Sequence, residues 1–122
     1  MKSIDAACAA VRELVERTGN PHDRAYYNLH EERFRKTAGR IAELVPAGAA
    51  ILDVGSHYLH QSAVLKQLGY AVSAMDVPAH TTLPFVAGRA RSLGIENHEV
   101  SGEVTAAQCA AARAWTAWTV RP

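Results

Sequence analysis

The chain has 122 residues and a formal net charge of +1, from 13 Lys and Arg against 12 Asp and Glu. That length suits one domain, since domains cluster near ~100–150 residues. The balanced charge offers no whole-protein field for nucleic acid or an anionic membrane. No apolar run approaches the ~20 residues of a membrane helix. The opening MKSIDAACAAVRELVERTG mixes acids with its apolar residues and does not read as a signal peptide. Cys8 and Cys109 stand too far apart to suggest a disulfide framework or a metal knuckle. A cytoplasmic protein with no membrane or nucleic-acid partner is the expectation.

Ser3 is a natural N-cap, and Ile4, Ala7, Cys8, Val11, Leu14 and Val15 follow at helical spacing. Gly19, Asn20 and Pro21 stop that helix. A second helix is predicted from about Asp23 to Leu44, with Phe34, Ala38, Ile41 and Val45 as its apolar stripe. Arg24, Arg33, Arg35, Lys36 and Arg40 share it with Glu31 and Glu32, which reads as a solvated face with i,i+4 pairs rather than an anion-binding patch. Pro46 and Gly48 break the helix.

From residue 49 the period changes. Ala49 to Val54 is a short apolar run that reads as a strand buried on both faces. Gly55 to His60 is a loop, Gln61 to Leu68 a helix ended by Gly69, and Tyr70 to Met75 a second strand closing on Asp76. Pro84 to Leu93 is a helix capped by Gly94, and His98 to Ser101 a weaker third strand. Strand, helix, strand, helix, strand is the order of parallel β-α-β units. The final 18 residues, TAAQCAAARAWTAWTVRP, hold seven Ala and both tryptophans, with no acid and no Gly. Their Ala content permits a helix, they show no clean stripe, and no fourth strand is predicted there.

Ligands of open parallel sheets bind outside the carboxyl ends of the strands. Asp53, Asp76 and Glu103 stand at or near those ends, 23 and 27 residues apart, each about one helix plus one strand. An acid after the second strand is placed to accept hydrogen bonds from ribose hydroxyls. Gly55 lets backbone approach a ligand with no Cβ in the way. A dinucleotide fingerprint needs G-x-G-x-x-G from Gly55, but His57 and His60 hold the later glycine positions and obstruct a pyrophosphate. NAD and FAD are therefore disfavoured, whereas adenosylmethionine has no phosphate to place. His57, His60, His80 and His98 give only a weak metal signal. No G-x-S-x-G marks a hydrolase, and no basic recognition face marks a DNA-binding helix-turn-helix.

Residues 41–104 resemble the first half of a class I S-adenosylmethionine-dependent methyltransferase. Ile51-Leu-Asp-Val-Gly55-Ser looks like the first motif of that family, and Leu68-Gly-Tyr-Ala-Val-Ser-Ala-Met-Asp76 like its second strand with the ribose-binding acid. Arg89 to Asn97, followed by Val100-Ser-Gly-Glu103, resembles the helix and third strand leading to the acid beside adenine. The helix bearing Tyr26, Tyr27, His30 and Phe34 is similar to one that lids the cofactor. The resemblance implies an α/β fold: a Rossmann-like partial parallel sheet of about three strands with N-terminal helices. Residues 1–45 would be the helical segment, 46–104 the cofactor-binding half, and 105–122 an Ala-rich tail. It also implies S-adenosylmethionine as cofactor, bound by Asp53, Gly55, Ser56, His57, Asp76, Val77 and Glu103. Asp53 and Gly55 would border its methionine part, Asp76 the ribose and Glu103 the adenine. The family's loop runs G-x-G-x-G, where this chain has His57 and Leu59 as the second and third members.

Methyl transfer to an O, N or C nucleophile is the activity so implied. The acceptor is not legible and no catalytic base is named, because the family's later strands supply the acceptor pocket and this sequence ends where the fourth should begin. The alternative is a non-catalytic truncated remnant, or an interaction module that completes its sheet with a partner chain. With the first strand central in the family and no fourth strand beside it, residues 50–54 are expected to be an exposed edge that recruits a second copy or aggregates, unless the tail shields it by packing Trp115 and Trp118 alongside.

Overall fold

A computed structural model describes residues 2–101, and the backbone alone of residues 117–120. Helix α1 (Ile4–Thr18) starts where the Ser3 hydroxyl accepts the Ala6 N–H and ends at Gly19, whose φ of +64° turns the chain out of the helix. Helix α2 (Pro21–Leu44) starts at once: the Asn20 side chain accepts the N–H groups of His22 and Asp23, and Pro21 occupies the first turn, where a missing N–H costs nothing. Strand β1 (Ala50–Val54) leads to α3 (His60–Gln67), and β2 (Ala71–Asp76) to a short α4 (Pro78–Thr81). Helix α5 (Pro84–Leu93), β3 (Glu96–Glu99) and β4 (Ala117–Val120) complete the order. The third strand thus begins two residues before the expected His98, and α4 has no counterpart in the sequence reading.

The sheet is parallel throughout, in the order β3-β2-β1-β4. This is an α/β, Rossmann-like partial sheet with N-terminal helices. Two expectations need correction. Residues 117–120 form a fourth strand, and it pairs with β1 from Ile51↔Ala117 to Val54↔Val120. Residues 50–54 are therefore an interior strand and not the exposed edge through which two chains were expected to associate. Trp, Thr and Val favour extended backbone, but three such residues within an Ala-rich stretch have no period that separates strand from helix.

Strand alternation sends Ile51, Asp53, Val72 and Ala74 to one face, and Leu52, Val54 and Met75 to the other. Helices α1, α2 and α3 cover the first face. Val11, Val15, Tyr27, Phe34, Val64 and Leu65 are buried there with Ile51 and Val72. Helix α5 continues that layer, where Val86, Ala90 and Ile95 meet Ala74 and Leu59. Each fully buried Val, Leu or Ile contributes roughly 1.5–3 kcal/mol, so this layer carries much of the fold's stability. Leu52, Val54, Met75 and Val100 form a separate buried cluster on the opposite face.

The charged face of α2 is paired, but Arg35–Glu31 alone of the described pairs on it has the expected i,i+4 spacing, the others lying at i,i+3 or reaching across to α1. Arg35 meets Asp5, Glu31 and Glu32, Arg12 meets Glu31, Arg24 meets Glu16, and Arg40 meets Glu43. Exposed pairs of this kind contribute ~0–1 kcal/mol each. No described helix is long and apolar enough to cross a membrane.

Candidate functional site

The chain leaves β1 toward β2 and β3 on one side and has β4 on the other, so strand order reverses at the carboxyl end of β1. That is where open α/β sheets bind ligands. The loop there is held to the neighbouring strand by backbone: Gly55 and Ser56 donate their N–H groups to the Met75 carbonyl at 2.8 and 3.3 Å. The next N–H, from His57, donates to Asp76 Oδ2 at 2.6 Å. Asp76 is 8% exposed at the end of β2. Its Oδ1 accepts the Val77 N–H at 2.7 Å, and His80 Nδ1 lies 2.8 Å from Oδ2.

The loop backbone is unusual at alternate residues. Gly55, His57 and Leu59 have φ of +75°, +51° and +67°, all left-handed. Glycine takes that geometry freely, whereas a residue with a Cβ loses ~1–2 kcal/mol. Leu59 offsets the strain by complete burial against Ala74, Val86, Ala90 and Ile95. His57 offsets it at Asp76 and in a stack of rings. Its imidazole lies 4.1 Å from the ring of Tyr26 on α2, 3.8 Å from that of Tyr58, and edge-on to His80 at 4.3 Å. Tyr26 also touches His30 at 4.4 Å, and Tyr58 touches Phe85 at 5.0 Å.

The predicted site residues therefore divide. Gly55, Ser56, His57, Asp76 and Val77 converge at one edge. Asp53 belongs to the helical face: it is 1% exposed, and its Oδ2 accepts the Ser62 hydroxyl at 2.6 Å. Ser62 lies in the first turn of α3, where a carboxylate is favoured by the helix dipole. Glu103 lies outside the described residues. Of the α2 rings expected to lid a cofactor, Tyr26 and His30 reach the edge, while Tyr27 and Phe34 turn into the core. The histidines separate likewise: His57 and His80 stand at Asp76, and His60 turns inward. Among the described residues, no three His, Cys, Asp or Glu side chains are grouped to hold a metal.

Behind the edge lies a centre that the sequence reading missed. Asp23 is fully buried, and Arg89 donates to both of its oxygens, Nη1 to Oδ1 at 2.9 Å and Nη2 to Oδ2 at 2.7 Å. His60 Nε2 lies 2.7 Å from Oδ1, and the Thr18 hydroxyl donates to Oδ2 at 2.9 Å. Burial pushes the Asp23 carboxyl up, but the hydrogen bonds from Arg89 and His60 outweigh it and hold the group well below the ordinary range. An ionised carboxylate only accepts, so the His60 proton sits on Nε2. Arg89 also donates to the Tyr58 carbonyl at 2.9 Å. The network thus ties α1, α2, α3 and α5 to the loop that carries His57. A capping-type Asp in a first turn and an Arg 66 residues later give no local sign that they meet. Only His60 had drawn notice, for another reason.

Among the described residues, depressions of about 550 and 290 Å³ are lined by α1 alone and by α1 with α5. Neither includes a residue of the Asp76 edge. Fold and site together define a Rossmann-like unit whose carboxyl edge presents one hydrogen-bonded carboxylate beneath a cluster of aromatic and imidazole rings. No protein-family model matches the chain, and no curated protein matches it.

Proposed function

We propose that this chain binds S-adenosylmethionine across the carboxyl edges of β1 and β2, as the cofactor-binding half of a class I methyltransferase. The observation that carries the reading is the loop backbone. Its left-handed residues fall at 55, 57 and 59, the three positions where the family's loop has glycine, although two of them here are His and Leu. Side chains that oppose this geometry occupy it nonetheless, which favours a loop path inherited from a glycine-rich ancestor. The sheet order and the acid ending β2 agree with the same reading.

The residues fit the cofactor in kind. Asp76 is the acceptor for the ribose hydroxyls, with its carboxylate oriented by the Val77 N–H. The backbone of Gly55, Ser56 and His57 forms the wall beside it, and Asp53 ties the end of β1 to α3 through the Ser62 hydroxyl. Glu103 is the partner that the resemblance places beside adenine. The bound cofactor supplies an electrophilic methyl group on a sulfonium, and the acceptor is an O, N or C nucleophile. Transfer of this kind depends on holding the reacting atoms close and in line, more than on acid–base groups. No side chain is assigned as a base.

Calorimetric titration with S-adenosylhomocysteine at millimolar concentration is the test. Heat of binding that falls sharply in Asp76→Asn is the expected result. No heat from a protein shown to be folded would end the cofactor assignment.

A further inference from the structure

We propose that His57 is a gate on this site: its ring fills the space above Asp76 in the free protein and must swing out before an adenosine-bearing ligand can enter. The inference rests on the cofactor reading above and concerns how that site is regulated.

A ribose diol brings two donors to the carboxylate at the end of β2. Ionised Asp76 has about four lone-pair positions. His57 N–H and His80 Nδ1 both lie at Oδ2, and Val77 N–H lies at Oδ1. The carboxylate is thus largely satisfied by its own chain. The three contacts differ in what they carry with them. Val77 is the adjacent residue and brings no bulk to the edge. His80 stands at the side, on α4. His57 is the one whose ring is packed in the middle of the cluster, with Tyr26 at 4.1 Å, Tyr58 at 3.8 Å and His80 at 4.3 Å. With glycine at 57 the loop would keep the same backbone N–H and lose the ring. Rotation of the ring would also release the face of Tyr26 on which it stacks, a flat apolar surface that a purine can take over. The residue at this position therefore decides whether the edge stands closed or open, while the Asp23–Arg89 centre keeps Tyr58 and the loop anchored from behind.

The test titrates S-adenosylhomocysteine into the full chain by calorimetry for wild type, His57→Gly and His57→Asn. Asn also tolerates left-handed backbone and is smaller than His, so it decides the question should the glycine variant fail to fold. Circular dichroism and the thermal midpoint report folding in each case. The expected result is a dissociation constant at least tenfold lower for His57→Gly, with a smaller gain of about threefold for His57→Asn. Equal or weaker binding by the folded variants, with wild type binding, would overturn the gate and leave the cofactor reading standing. Absence of binding in all three folded proteins would overturn both.

Discussion

Two buried carboxylates, some tens of residues apart, are satisfied in opposite ways. Asp23 takes a bidentate arginine, an imidazole and a hydroxyl, from α5, α3 and α1, and is fully enclosed. Asp76 takes two backbone N–H groups from His57 and Val77 and one imidazole from α4, and part of it remains exposed. A full charge partner within a closed core makes the first a fixture, since opening it would leave an arginine unpaired in low dielectric. The second stands at a rim with no bidentate charge partner, and on the proposed reading this leaves it open to a ligand's hydroxyls. Stability and binding should therefore separate between the two sites.

The largest effect should come from Asp23→Ala, which strands Arg89. Removing one member of a buried pair costs ~3–5 kcal/mol, read as a shift in the urea unfolding midpoint. A loss under ~1 kcal/mol would break the comparison, since Asp23 would then be no more a fixture than Asp76. The double variant Asp23→Leu with Arg89→Met should recover part of that loss, because no lone charge remains.

Acid sharpens the same contrast. The pKa of Asp23 in the folded protein lies below that of the unfolded chain. Its contribution to stability is thus complete well above the ordinary value of ~3.9 and drains away as pH falls below it. Urea midpoints should drop between pH 6 and pH 3, and Asp23→Asn should flatten that drop. An unchanged slope in the variant would assign the acid sensitivity to other groups.

Asp76→Asn keeps the shape of the edge and removes its charge. Binding of S-adenosylhomocysteine should weaken by ~1–3 kcal/mol, the range for hydrogen bonds to a charged group, read by calorimetry. The thermal midpoint should move far less than in Asp23→Ala. The reverse order of effects would show that the exchangeable site had been misassigned. Smallest of all should be Arg40→Ala at the exposed pair with Glu43, at under ~0.5 kcal/mol in the same urea assay.

Legibility from sequence followed the range of each signal. The helix start at Ser3, the break at Gly19–Pro21 and the end of α5 at Gly94 each rest on chemistry within a few residues, and each stands in the structure as read. The strands β1 and β2 were legible for a related reason, since apolar runs too short for helices leave few alternatives. The place of Asp76 was legible because it closes a short apolar strand. β3, with four polar or charged residues on a sheet edge, was blurred by two residues.

The sequence by itself determined α1, α2, α3, α5, β1 and β2, their order, and that Asp76 would close β2, because caps, breakers and periodicity act between near neighbours. Tertiary structure alone decided that residues 117–120 lie beside β1, that Arg89 reaches Asp23, and that the His57 ring stacks on Tyr26. Those pairings are selected by burial and by the need to satisfy each polar group once the layers close. No spacing along the chain encodes them.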